Sequence, residues 1–133
     1  MAAVPKLASR VLLSFSAAIL ALGGFMHTRA FGRTVEAVAA SNLEPFFGKS
    51  LQALWLIDSA TLLTLAATFI AIAARPALAS RTVLALLAIL PAATATLLYW
   101  FLGSFLPAHM LLAAAAFAWL AALTMTPVAS KES

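Results

Sequence analysis

Asp58 is the residue whose type and surroundings most demand a chemical explanation. It stands in an apolar run, Leu51 to Ala74, with no other charged side chain, and an ionised carboxylate near a bilayer interior is costly unless it is paired, protonated or open to water. On a helix, at about 100° per residue, Thr61, Thr64 and Thr68 share its side. The resulting polar stripe is expected to face protein. Membrane threonines commonly bond their own backbone, so the stripe reads as a packing surface before it reads as a conduction path.

His27 is the natural partner. It lies near the far end of the first apolar run, Val11 to Thr28, and residues 16, 20, 23, 24 and 27 fall on one helical face. Ser16, Gly23 and Gly24 beneath it would let a neighbouring helix approach closely. If that neighbour carries Asp58, imidazole and carboxylate are expected to form a charge-assisted hydrogen bond that relieves the burial of the acid. The plainer alternative has His27 reaching lipid headgroups and Asp58 bonding Thr61 or water.

His109 follows Pro107 at the start of the last apolar stretch and is read as an interfacial residue at a helix start. Two imidazoles with Asp58, completed by Glu44 or water, would suit a first-row divalent metal, and two histidines a haem. Neither His-Glu-x-x-His nor a histidine pair at i, i+4 spacing is present, so no metal and no cofactor is expected. A glycine-rich phosphate loop, a Gly-x-Ser-x-Gly elbow and a second intramembrane acid are missing as well. Ser59 points about 100° away from Asp58 on a helix and is not read as a nucleophile. These absences weigh against an enzyme.

The elements that must position these groups follow from composition. Of 133 residues 65% are hydrophobic and 9% charged, against roughly 25% charged in soluble domains. Water is not the solvent for most of this surface. The net charge of +4 would suggest nucleic acid in a soluble protein, but the basic residues sit at the ends of apolar runs and mark topology, so no nucleic acid is expected. Without cysteine there is no disulfide or thiolate chemistry.

Four crossings fit the length of this single domain, over about 11–31, 51–74, 82–102 and 108–126. Arg75-Pro76 ends the second. From Thr82 to Ser130 there is no charged residue, a stretch more than twice as long as a ~30 Å hydrocarbon core at ~1.5 Å per residue. It must double back, and Gly103-Ser104-Phe105-Leu106-Pro107 is the breaker cluster near its middle. Pro91 frees the Leu87 carbonyl and predicts a kink in the third helix. Trp119 is expected to fill a groove between helices, and the fourth helix is alanine-rich and structural. The fold class is an all-α integral membrane four-helix bundle of two helical hairpins. Continuous apolar runs exclude a membrane barrel.

The first run resembles a signal peptide, with Ala37-Val38-Ala39 as a small-residue site. Its length, and Arg29, Arg33 and Glu36 standing before that site, argue for a retained helix. Lys6, Arg10, Arg75, Arg81 and Lys131 fall on one side, and Arg29, Arg33 and Lys49 on the other with Glu36 and Glu44. The positive-inside rule then puts both termini in the cytoplasm. The outer connection, 33–49, is expected to form a short helix and a turn and to lie in the headgroup zone as a lid-like segment. Leu7-Ala8-Ser9-Arg10 recurs as Leu78-Ala79-Ser80-Arg81, and both read as helix entries where serine caps and arginine anchors.

Nine of thirteen aromatics lie toward the outer leaflet. Aromatic rings favour the interface, and Phe46, Phe47, Trp55, Tyr99 and Trp100 would be the ones to line a pocket for a lipid tail or isoprenoid. In general terms the chain resembles small, alanine-rich, four-span bacterial inner-membrane proteins, and no motif ties it to one family. The first expectation of function is a non-enzymatic module binding membrane lipids, a larger membrane complex or a second copy of itself. The alternatives are a small proton-coupled transporter using Asp58 and a membrane enzyme acting on a lipid or isoprenoid.

Overall fold

The computed structural model describes residues 3–125, with side chains from Leu7 onward. Lys131, Thr126 and the side chain of Lys6 lie outside the described residues. Among the described residues the chain forms α1 (Ala3–Arg29), α2 (Phe31–Ala39), α3 (Pro45–Ala74), a 3-10 turn (Pro76–Leu78), α4 (Arg81–Leu87), α5 (Ile89–Leu102) and α6 (Leu106–Thr124). Four helical stretches are long and apolar enough to cross a membrane: Leu7–Ala39, Pro45–Ala74, Arg81–Leu102 and Leu106–Thr124.

α3 begins at Pro45, six residues before the expected start at Leu51. Proline fits the first helical turn, where its missing N–H is not needed, and it holds Glu44 extended (φ −58°, ψ 142°). The non-helical link is therefore only residues 40–44, and Phe46 to Lys49 belong to the long helix rather than to a separate lid. Of the expected 33–49 segment, α2 is the part that forms its own element. It is seated on the first turn of α3, where Gly48 gives room for it: a Cβ there would come to 2.8 Å from Val38 Cγ1 and displace that side chain.

α1 begins before Ser9 and Arg10, so the first copy of the Leu-Ala-Ser-Arg tetrapeptide is helix interior and not an entry. In the second copy Ser80 does cap its helix, its hydroxyl accepting from the Val83 N–H at 3.2 Å. Arg10 reaches across to α3, where Nε donates to the Ala73 carbonyl and Nη2 to the Ala74 carbonyl, both at 2.8 Å. The last carbonyls of a helix have no partner within it. Arg10 supplies one and sets the register between α1 and α3.

The third span is broken. α4 stops at Leu87, Ala88 is a turn, and α5 resumes at Ile89. Pro91, buried, removes the N–H that would bond Leu87. At the break the Trp119 indole donates Nε1–H to the Ala85 carbonyl at 3.0 Å. Trp119 is thus a donor at the interruption, partly exposed, rather than only a groove filler. The reversal into α6 uses Gly103, at φ +78° the one positive-φ residue among those described.

α1 packs against α3 on one side and α6 on the other, and α4 and α5 pack against α6. No principal contact joins α3 to α4 or α5. The burial pattern agrees. α3 buries one stripe, Ser59, Leu62, Ala66, Phe69 and Ala73, with flanking Leu65 and Ile72. α6 buries two, through Leu111, Ala115, Ala118 and Ala122 and through Ala114 and Ala121. The two expected hairpins therefore pack as a row with α1 and α6 in the middle. Alanine on α6 and Gly24 on α1 allow the close backbone approach, and Ser16 ties the central pair by donating to the Ala114 carbonyl at 2.7 Å.

Candidate functional site

The polar cluster lies between α1 and α3, at the end opposite the Arg10 contact. Arg10 is level with the last turn of α3 through its two bonds. From there His27 stands seventeen residues along α1 and Asp58 fifteen residues back along α3 from Ala73, roughly 25 Å and 22 Å at ~1.5 Å per residue. The two side chains arrive at one level because both helices are continuous over this length. The approach depends on Gly24, one turn before His27, where a Cβ would meet Leu63 Cγ at 2.9 Å and Leu62 Cβ at 3.2 Å.

His27 Nε2 lies 3.6 Å from Asp58 Oδ2, the one ion pair among the described residues. That is too long for a hydrogen bond, so the expected charge-assisted bond is replaced by a looser electrostatic contact. The other ring nitrogen, Nδ1, is 2.9 Å from Ser59 Oγ, and Ser59 Oγ is 3.1 Å from the Trp55 carbonyl. Trp55 in turn stacks on the imidazole, centroids 4.0 Å apart and planes 9° from parallel, and donates Nε1–H to the His27 carbonyl at 2.8 Å. His27 is held by three contacts from α3 that do not involve the acid.

Ser59 has a single proton to give. If it goes to the Trp55 carbonyl, the ring hydrogen on Nδ1 is donated to Oγ. If it goes to Nδ1, the ring hydrogen is on Nε2, facing Asp58. Asp58 itself remains 39% exposed and His27 28%, whereas Ser59 is 3% exposed.

Thr61 does not join the cluster. Its hydroxyl donates to the Ile57 carbonyl at 2.8 Å, and Thr68 donates to Thr64 at 2.9 Å, both exposed. The threonine stripe is bonded to its own helix and faces outward, not toward protein. His109 belongs to the second hairpin: its Nδ1–H donates to the Phe105 carbonyl at 2.7 Å, Nε2 is 3.4 Å from Ser104 Oγ, and its ring meets Tyr99 edge-on at 5.5 Å. Among the described residues no three His, Cys, Asp or Glu side chains are placed to hold a metal ion together.

The five aromatic candidates separate in the same way. Trp55 covers His27, Tyr99 meets His109, and Phe46 and Phe47 pair edge-on at 5.6 Å. Trp100 is 83% exposed. The rings form separate contacts on the two hairpins instead of one lining.

In the sequence Ser59 stands out only as the neighbour of Asp58, pointing about 100° away on the helix. The partner helix lies in the sector between their two directions, so both reach His27. The Trp55-x-x-x-Ser59 spacing, which lets the serine bond the tryptophan carbonyl, is the signal that could have found it.

Compared with known proteins, the chain matches no family model, no curated protein and no solved structure. The class its fold defines is that of all-helical proteins with four helices apolar and long enough to cross a membrane.

Proposed function

We propose that this protein is a non-enzymatic module of the bacterial inner membrane, both termini cytoplasmic, that binds a lipid or a membrane partner through its outer half. In a ~30 Å hydrocarbon core with Arg10 at the inner boundary, His27 and Asp58 lie in the outer quarter. The observation that carries the reading is the state of Asp58. Its carboxylate has one loose contact, to His27 at 3.6 Å, and remains 39% exposed on the flank of α3, next to Leu54 and Ile57, which are 61% and 58% exposed. A carboxylate at that depth is stabilised by a cationic N–H donor from outside the chain, such as an amino headgroup or a basic side chain of a neighbouring helix. The exposed rings of Phe46 and Phe47 on α3, and of Trp100 on the second hairpin, supply interfacial contacts at the same end of the protein.

The test uses the full chain in vesicles of phosphatidylethanolamine and phosphatidylglycerol, with a photo-cross-linker at Ile57 and native mass spectrometry. Ethanolamine lipid should be captured, and Asp58→Asn should lower capture roughly tenfold, the scale of a charged hydrogen bond. Equal capture by both proteins sinks the lipid form of the reading.

A second reading, a proton-coupled carrier using Asp58, is supported by the 3.6 Å approach of a part-exposed carboxylate to an imidazole within an apolar span, the kind of pair from which membrane proton relays are built. It predicts pH-driven uptake into vesicles that Asp58→Asn abolishes, irrespective of lipid headgroup.

A further inference from the structure

At the opposite end of α1 a shallow groove of about 320 Å³ is lined by Arg10, Val11, Ser14, Phe15 and Ala18. Its residues divide by chemistry along the helix. Arg10 and Ser14, one turn apart, form a polar line that starts at the α3 terminus, and Val11, Phe15 and Ala18 form an apolar line beside it. Phe15 stacks on Phe117 of α6, centroids 5.9 Å apart and planes 28° from parallel, so the groove borders the central helix pair.

Arg10 is fixed in place by the Ala73 and Ala74 carbonyls. Those bonds use two of five N–H donors and neutralise no charge. Among the described residues no carboxylate lies within 4.0 Å of it, the single ion pair being His27 with Asp58. Arg75 and Arg81 stand at the same end, while Glu36, Glu44 and Asp58 are all placed toward the other. A preorganised guanidinium with donors to spare, at the head of an apolar channel, is complementary to an anion carrying a hydrocarbon chain.

We propose that this groove binds an anionic phospholipid of the cytoplasmic leaflet, its phosphate on Arg10 and the start of one acyl chain along Val11, Phe15 and Ala18. The inference rests on the membrane reading above but not on Asp58. A zwitterionic lipid brings its own ammonium and no net charge, so it gains less from the basic cluster.

The full chain is reconstituted in vesicles of equal phosphatidylglycerol and phosphatidylethanolamine, released, and its retained lipids are counted by native mass spectrometry. The wild type should retain phosphatidylglycerol over its bulk share by roughly fivefold, the effect of one basic residue at a membrane surface. Arg10→Gln should remove the preference. That variant also loses the α3 cap, so Ala18→Phe provides the independent arm: position 18 is exposed and away from the cap, and a ring there fills the channel with Arg10 intact. Thermal unfolding of each variant checks folding. Retention of the two lipids in their bulk ratio by the wild type, or an undiminished preference in folded Ala18→Phe, overturns the proposal. Failure of the Asp58 reading shows separately, as unchanged ethanolamine-lipid capture in Asp58→Asn.

Discussion

The indole of Trp55 lies flat on the imidazole of His27 at 4.0 Å and also bonds the backbone carbonyl of that histidine. One side chain of α3 thus fixes both the ring and the main chain of the last turns of α1. Trp55→Phe keeps the stack and loses the bond, and should cost about 0.5–1.5 kcal/mol in equilibrium unfolding from detergent micelles. Trp55→Ala loses both. With the ring only partly buried, its cost should be about 2–3 kcal/mol, below the ~3–5 kcal/mol of a fully buried aromatic. Equal losses for the two would mean the stack contributes nothing.

Adjacent glycines should behave differently. At Gly24 a Cβ would stand 2.9 Å from Leu63, whereas at Gly23 nothing lies within 4 Å. Gly24→Leu is expected to destabilise the α1–α3 contact by about 1–3 kcal/mol through overpacking, and Gly23→Leu to stay within ~0.5 kcal/mol of the wild type. The comparison can be read from chemical denaturation midpoints. A larger effect at position 23 would show that the helix rotation is wrong.

Trp119 and Pro91 act on neighbouring carbonyls of the same interruption, Ala85 and Leu87. Trp119→Phe removes the donor to Ala85 and should cost about 0.5–1.5 kcal/mol. In a Pro91→Ala background the regained N–H can bond Leu87, the helix can close across Ala88 so that the Ile89 N–H reaches Ala85, and the same substitution should cost much less. A double-mutant cycle measures this, and strict additivity would disconnect the two residues.

The chain has no cysteine, which makes single-cysteine variants clean reporters of topology. Cysteines replacing Ser41 and Ser104 should react with an impermeant maleimide added outside intact cells, and one replacing Ala77 only after lysis. Labelling of positions 41 and 77 from the same side would abolish the proposed crossing, and labelling of position 77 alone from outside would reverse it.

Much of the architecture was legible in the residues because it follows from local properties. Hydrophobic run length against a bilayer calls for four spans, and Arg75-Pro76 and Gly103 to Pro107 mark where helices must stop. Pro91 interrupts its helix through a missing N–H that no surrounding structure can restore. The start of α3 is harder to read because Phe-Phe-Gly-Lys has interfacial character of its own, whereas proline at position 45 opens a helix that runs through it.

Relationships across helices were decided by the tertiary structure. Whether Asp58 meets His27, how Ser59 shares the same imidazole, and why Thr61 faces away all depend on how α3 is rotated against α1, which no single helix period specifies. The row order depends likewise on which small-residue faces find each other. Arg10 could be read as a charge at a span end from its own run. That it caps α3 arises only because a carbonyl terminus 63 residues away comes to the same level.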